Sequence, residues 1–103
     1  MRHYSYIYIL TNFNKTVLYA GITSRFSQRL KQHINGDYDG FSKKYNCKYL
    51  VYYEKYENIS DAIAREKQIK KWNRKKKEAL IAKLNPEWKS LNERVFRLDE
   101  EYL

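Results

Sequence analysis

One cysteine, one proline and three glycines among 103 residues leave several chemistries without their parts. Cys47 alone closes no internal disulfide and supplies no zinc cluster, so a reducing, cytoplasmic setting is expected. So few glycines build no glycine-rich phosphate loop, and the sequence carries no nucleophilic Ser or Cys motif. Repeats, low-complexity tracts and linkers are missing as well. No apolar run approaches the roughly 20 residues of a membrane-spanning helix. The start, Met1-Arg2-His3-Tyr4, leads into patterned sequence rather than a signal peptide. Acid is also scarce: 12 Asp and Glu stand against 21 Lys and Arg, for a net charge of +9. That excess attracts polyanions through counterion release, which makes nucleic acid the leading partner. A membrane surface fits less well, because the basic segments lack a broad, strongly apolar opposite face. Charge alone does not separate a nuclease from any other polyanion binder.

What the chain does have is 43% hydrophobic residues, enough for one modest core at this length, and eleven tyrosines. Tyr4 to Thr11 reads as a strand, with Tyr4, Tyr6, Tyr8 and Leu10 alternating with Ser5, Ile7, Ile9 and Thr11. Asn12-Phe13-Asn14-Lys15 has turn chemistry, and Thr16 to Ile22 reads as a second strand. If those four residues form the loop, Thr11 pairs with Thr16, Tyr8 faces Tyr19, and Tyr6 faces Gly21. Thr23 or Ser24 can cap a helix from about Arg25 to Ile34, on which Phe26, Arg29, Leu30 and His33 share one side. Asn35-Gly36-Asp37 and Asp39-Gly40 mark a loop, Phe41 to Tyr45 a short helical turn, and Tyr49 to Tyr56 a third strand. Asn58 or Ser60 caps a helix running to about Trp72. A further helix, Arg74 to Leu84, stops at Asn85-Pro86. Leu91 to Leu103 reads as a short terminal helix, giving a domain over residues 1–91 and a tail over 92–103 packed on it.

Among candidate functional residues, Glu66 comes first. Helical projection sets it amid Ile59, Ala62, Ile63 and Ile69, where a carboxylate needs a cation, a hydrogen-bond network or a metal ion beside it. Either Lys70, four residues on, pairs with it, or Glu66 is a metal ligand. With no Cys/His pattern, oxygen ligands imply a hard ion such as Mg²⁺ or Mn²⁺. Tyr8 and Tyr19 are either two rings stacked across a hairpin or two phenols converging on a reacting phosphate, one of them a base or water relay. Gly21 either leaves room for a ligand approaching the sheet or serves a turn. Arg29 suits bidentate phosphate contact, and His33, one turn later, suits proton transfer near neutral pH. The bland alternative is a solvated arginine and a partly buried histidine. Arg65, Lys67, Lys70, Lys71, Arg74, Lys75, Lys76 and Lys77 form a run whose size favours a phosphate-backbone track over a merely solvated face. Trp72 and Trp88 either stack on bases or pack between helices, and helix packing suits both better.

Taken in order, these residues resemble the GIY-YIG nuclease superfamily. Tyr6-Ile7-Tyr8 stands at the first half of the signature and Tyr19-Ala20-Gly21 at the second, with a hairpin between them. Arg29 falls eight residues after Gly21, at the place of the family arginine. Arg65-Glu66-Lys67-Gln68-Ile69-Lys70-Lys71-Trp72 resembles the segment carrying the metal-binding glutamate. Leu84-Asn85-Pro86-Glu87-Trp88 resembles the closing segment of the small standalone bacterial members. The likeness runs from about Tyr4 to Leu91. It implies an α/β fold in which a three-stranded antiparallel sheet is flanked by helices, with the site on one face. It also implies hydrolysis of DNA phosphodiester bonds with one divalent metal, Mg²⁺ or Mn²⁺, held mainly by Glu66. In that reading Tyr8 generates or positions the attacking water, with Tyr19 and His33 nearby. Arg29 stabilises the developing charge and Asn85 anchors the site. Substrate contacts are expected from Gly21, Lys67, Lys70, Lys71, Arg74, Lys75 and Asn85. Superfamily relatives include the incision nuclease of excision repair and homing endonucleases, which gain target choice from additional domains. None is visible here, so loose or structure-directed specificity is expected, without an obligate protein partner. Two signature positions depart, with Tyr6 for glycine and Ala20 for Ile or Val. Tyr6, facing Gly21, is expected to narrow the substrate groove. The alternative is a non-catalytic nucleic-acid-binding module of the same fold, with RNA as the other candidate polyanion.

Overall fold

The computed structural model describes residues 3–38 and 40–101. The alternating segment Ser5–Thr11 forms strand β1, flanked by β2 (Leu18–Thr23) and β3 (Tyr49–Tyr56) in an antiparallel sheet ordered β2-β1-β3. Helices α1 (Phe26–Asn35) and α2 (Phe41–Lys44) follow β2. Helices α3 (Ile59–Lys71), α4 (Arg74–Leu84) and α5 (Asn92–Glu101) follow β3. This is the α/β architecture expected. Met1, Arg2, Asp39, Tyr102 and Leu103, which fall in the expected N-terminal, loop and tail segments, lie outside the described residues. No helix among the described residues is long and apolar enough to cross a membrane.

β1 is buried along nearly its whole length because helices cover both faces of the sheet. Tyr8 and Leu10 enter one core with Phe26, Leu30, Leu50 and Val95. Ile7 and Ile9 enter the other with Ala62, Ile69, Leu80 and Ile81. One strand therefore feeds two cores, as the period of two requires. A bulge makes β3 serve the second core twice over. Ile9 pairs with Tyr52 and Leu10 with Leu50, so Val51 is the extra residue, and both Val51 and Tyr52 pack toward α3 and α4.

The hairpin register differs from the expected one. Thr11 pairs with Leu18 rather than Thr16, Tyr8 with Gly21 rather than Tyr19, and Tyr6 with Thr23 rather than Gly21. The cause is Asn12. Its Oδ1 accepts the N–H groups of Thr16 (2.8 Å) and Val17 (3.1 Å), holding both residues in the loop. Thr11 Oγ1 donates to the Val17 carbonyl at 2.8 Å, and the pairing begins only beyond it. A two-residue shift keeps every side chain on its face. Tyr8 and Tyr19 thus remain neighbours, but diagonally, with ring centroids 6.3 Å apart.

Local capping chemistry sets the helix ends. Asn58 Oδ1 accepts Ser60 N–H at 2.8 Å, and Asn73 Oδ1 accepts Lys76 N–H at 2.9 Å. α1 differs from the expected Thr23 or Ser24 cap: its N-cap is Arg25, with no side-chain cap. Thr23 Oγ1 takes the Arg25 N–H at 3.0 Å in the turn before it, and Gly36 closes the helix in the left-handed region at φ 74°. The tail is bound to the sheet. Asn92 Oδ1 accepts Leu50 N–H at 2.8 Å, its Nδ2 donates to the Lys48 carbonyl at 3.0 Å, and Leu91 and Val95 are buried.

Candidate active site

The second strand and α1 bring four of the expected residues together. Gly21 lies directly opposite Tyr8, and its missing side chain is what admits the phenol. A Cβ there would sit 2.4 Å from Tyr8 Oη and 2.5 Å from its Cζ. Gly21 thus clears space for the Tyr8 ring. Tyr8 is only 2% exposed, and its hydroxyl lies 2.9 Å from His33 Nε2. His33 Nδ1 in turn lies 2.8 Å from Ser42 Oγ, supplied by α2. Both ring nitrogens are therefore engaged in a buried chain from Tyr8 through His33 to Ser42. A neutral imidazole, with one donor and one acceptor nitrogen, satisfies it.

The electrostatics agree with that neutral pair. Burial, and after it the Arg29 charge, pull His33 down to about 4 from the ordinary 6.5. Burial, and after it the nearby Tyr19, push the Tyr8 phenol well above the usual tyrosine range. Arg29 opposes that rise through its charge and a hydrogen bond. Tyr19 is also raised, first by burial and then by Tyr38, to which it is hydrogen-bonded. Arg29 pulls it down again, and the charge of Glu66 adds to the rise. Arg29 thus stands as the cation of a cluster of otherwise uncharged rings.

Glu66, on α3, acts on this cluster through its charge, which Tyr19 feels. The buried stripe of α3 is narrower than expected. Ala62 and Ile69 are buried, while Ile59 and Ile63 are 49% and 41% exposed. Glu66 still lies on that stripe, its side chain 16% exposed, with Lys70 Nζ 3.4 Å from Oε1. Both readings of its neighbourhood therefore have a physical counterpart. Lys70 pairs with it, and its carboxylate acts on Tyr19. Among the described residues no group of three or more His, Cys, Asp or Glu could hold a metal. The donor set fits a hard ion bound through one carboxylate, with the remaining positions left to water and phosphate oxygens.

The chain matches the GIY-YIG catalytic domain over residues 4–79. It belongs to the GIY-YIG family. This GIY-YIG protein is also 40% identical over 84 residues to a UPF0213 protein of Syntrophus aciditrophicus, covering 81% of this chain and 94% of that one. A UPF0213 protein of Clostridium perfringens is 37% identical over 78 residues, covering 76% and 83%. One from Bacillus pumilus is 29% identical over 97 residues, covering 94% and 98%. No solved structure matches the chain.

Within the GIY-YIG signature of this protein, Tyr6 does not stand over Gly21. It faces Thr23 and packs on Phe26, ring centroids 4.7 Å apart. Three other expected residues make contacts within the fold. Asn85 is buried. Its Nδ2 donates to the carbonyls of Val51 (3.1 Å) and Lys89 (2.8 Å), and its Oδ1 accepts Lys89 N–H (3.0 Å), which ties the segment after α4 to β3. Arg74 donates to the carbonyls of Thr16 (2.6 Å) and Lys15 (2.8 Å), which fastens the hairpin loop to α4. Arg65, read as part of the phosphate track, pairs with Glu54 through Nε (3.0 Å) and Nη2 (3.1 Å). Lys67, Lys71 and Lys75 remain exposed on α3 and α4, and Lys70 is the partner of Glu66.

Sequence reasoning missed Tyr38, Ser42 and Glu54. Tyr38 lies under the Arg29 guanidinium at 4.5 Å and against His33 at 4.8 Å, roofing the cluster. An aromatic residue inside the Asn35–Gly40 turn segment was the one available signal. Ser42 gave none, since its role arises only when α2 folds back on α1. Glu54 accepts from Tyr52, Tyr56 and Arg65. Burial raises its pKa, but Arg65 and the two tyrosines outweigh that and hold it below the usual range. This cluster ties β3 to α3 one residue before Glu66.

Proposed function

We propose that this protein is an endonuclease that hydrolyses DNA phosphodiester bonds with a divalent metal, Mg²⁺ or Mn²⁺, and with loose or structure-directed specificity. The observation that carries this reading is the convergence of Tyr8, Tyr19, Arg29, His33 and Tyr38 on one cluster within electrostatic reach of Glu66. Glu66 would hold the metal. Such an ion, when bound, acidifies water and withdraws charge from a phosphoryl oxygen. Arg29, resting on Tyr38, would stabilise negative charge on the phosphorus centre as water adds and the ester oxygen leaves. The Tyr8 hydroxyl orients the attacking water, and its bond to His33 gives a proton a path away from the reacting atoms. The net charge of +9 and the exposed Lys67, Lys71 and Lys75 supply the phosphate contacts.

The test is cleavage of a labelled panel of duplex, flap, junction and single-stranded DNA with and without Mg²⁺. Wild type is expected to nick only with the metal, and Glu66→Ala and Arg29→Ala to be inactive. Full activity in Glu66→Ala would remove the assignment of the metal ligand. The 3.4 Å Lys70–Glu66 pair favours a second reading, a binding module without turnover. That reading predicts no cleavage under any metal and binding indifferent to Glu66→Ala. With ~6 phosphate contacts, log affinity would fall against log salt with a slope of about −5.

A further inference from the structure

Away from the Tyr8 cluster, at the hairpin end of β1, a cavity of about 170 Å³ opens between the β1–β2 loop and the segment after α4. Phe13, Tyr49 and Trp88 line it, and Lys15 stands at its rim. Phe13 is 80% exposed and meets Tyr49 at a ring distance of 6.3 Å. The cavity lies roughly 10 Å from Tyr8, counted as three residues along β1 from Tyr8 to Thr11.

Both walls are held in place by other contacts. Lys15 (φ 59°) and Trp88 (φ 55°) are two of the three non-glycine residues with positive φ among the described residues. That backbone region is disfavoured for bulky side chains, and its use marks a position fixed by its surroundings. Arg74 fixes the first wall by donating to the Lys15 and Thr16 carbonyls, and its guanidinium lies 5.9 Å over the Trp88 ring. Asn85 fixes the second, since it brackets Trp88 by accepting from Lys89 and donating back to it, while Trp88 N–H bonds the Asn85 carbonyl at 3.0 Å. Arg74 and Asn85 thus hold the two walls of this cleft.

We propose that the cleft formed by Phe13, Tyr49 and Trp88 receives one unpaired nucleobase of the bound nucleic acid, with Lys15 on an adjacent phosphate. The proposal rests on the nucleic-acid reading above and adds a second, non-catalytic contact to it. Aromatic faces bind bases with little regard to sequence, and a cation at the rim suits the phosphate that each base carries. The net charge of +9 makes a polyanion the fitting occupant of a cleft so edged.

The probe is a DNA duplex carrying 2-aminopurine, either paired or as a single-base bulge, titrated in EDTA so that no cleavage competes. Wild type is expected to quench the bulged base and to bind that duplex more tightly than the paired one. Phe13→Ala should lose the quenching and weaken binding of the bulged duplex roughly tenfold, with paired-duplex affinity unchanged. Phe13→Tyr should restore both. Phe13 is so exposed that its removal leaves the cores intact, and a melting curve checks this. Equal behaviour of wild type and Phe13→Ala on the bulged duplex, alongside normal cleavage, overturns the cleft and leaves the nuclease reading standing. Failure of wild type to bind either duplex, with no cleavage when Mg²⁺ is restored, overturns both. A concentration-dependent dimer abolished by Phe13→Ala, without discrimination between the duplexes, assigns the cleft to a second copy of the chain and overturns the proposal.

Discussion

Gly21→Ala is the sharpest perturbation available, because the size of the clash follows from geometry. The new methyl would lie 2.4 Å from Tyr8 Oη, where ordinary contact begins at 3.4 Å, so the phenol must retreat by about 1 Å (3.4 − 2.4). Tyr8 is buried in a core beside Phe26 and Leu30 and cannot swing into solvent. Overpacking of this kind costs about 1–3 kcal/mol. For a domain of this size that lowers the melting temperature on the order of 5–20 °C. The displacement also breaks the 2.9 Å contact with His33, and a 1 Å error at a reacting group costs about 10²-fold in turnover. Thermal melts and metal-dependent plasmid nicking measure the two effects. A second-site test separates crowding from the loss of the hydrogen bond. Adding Tyr8→Phe removes only the hydroxyl, and Cζ at 2.5 Å still collides, so stability should stay low. Adding Tyr8→Leu removes the ring and should restore the melting temperature without restoring turnover. A Gly21→Ala protein with wild-type melting and turnover would refute the whole chain of reasoning.

Three further outcomes are expected. His33, held near 4 against an ordinary 6.5, takes up its proton more readily in the unfolded chain. Stability should therefore be full above about 6.5 and fall by on the order of 3 kcal/mol as pH drops to 4. Denaturant melts across that range read the slope, and His33→Gln should remove it. Arg65→Ala strands the Glu54 carboxylate beside two tyrosines. With both side chains about a fifth exposed the cost is roughly 1–3 kcal/mol, less than for a fully buried pair, and a chemical melt reads it. Arg74→Ala frees the hairpin loop from α4. Faster hydrogen exchange at Thr16 and Val17, with exchange at Tyr8 and Ile9 unchanged, is the expected signature.

Much of this was legible in the residues, and the failures have physical causes. Tyr49–Tyr56 and Arg74–Leu84 have the bounds that their patterns imply, since β-branched and aromatic runs and a clean Asn73 cap decide them locally. The hairpin register was missed because one side chain, Asn12, held two further residues in the loop, and no residue count reveals that. It cost little, as an even shift preserves the faces. The partners of Arg65, Arg74 and Asn85 were not legible, because composition cannot say which cations and amides a fold consumes. Glu54, the Lys15 and Thr16 carbonyls and the Val51 carbonyl claim them only after the chain has packed. Tyr38 and Ser42 escaped for the same reason, being placed by the return of α2 onto α1.

Arg29 is the residue on which the remaining chemistry turns. Tyr8 is raised and His33 lowered, so their shared hydrogen bond rests as a neutral pair, and neither ionises without help. Arg29 is the cation that draws Tyr8 and Tyr19 down and also presses His33 down. Removing its charge should therefore move two groups in predictable directions. Arg29→Gln should let His33 titrate closer to its ordinary value and raise Tyr8 further, the first readable by NMR of the imidazole in the absence of any substrate. Arg29→Lys keeps the charge but loses the planar fork and its seat over the Tyr38 ring at 4.5 Å. It should hold the His33 titration near the wild-type value yet lose about 10²–10³-fold in turnover, the usual penalty for misplacing one preorganised donor. A His33 titration unmoved by Arg29→Gln would mean that burial alone sets its state, and the cluster would then lose its electrostatic centre.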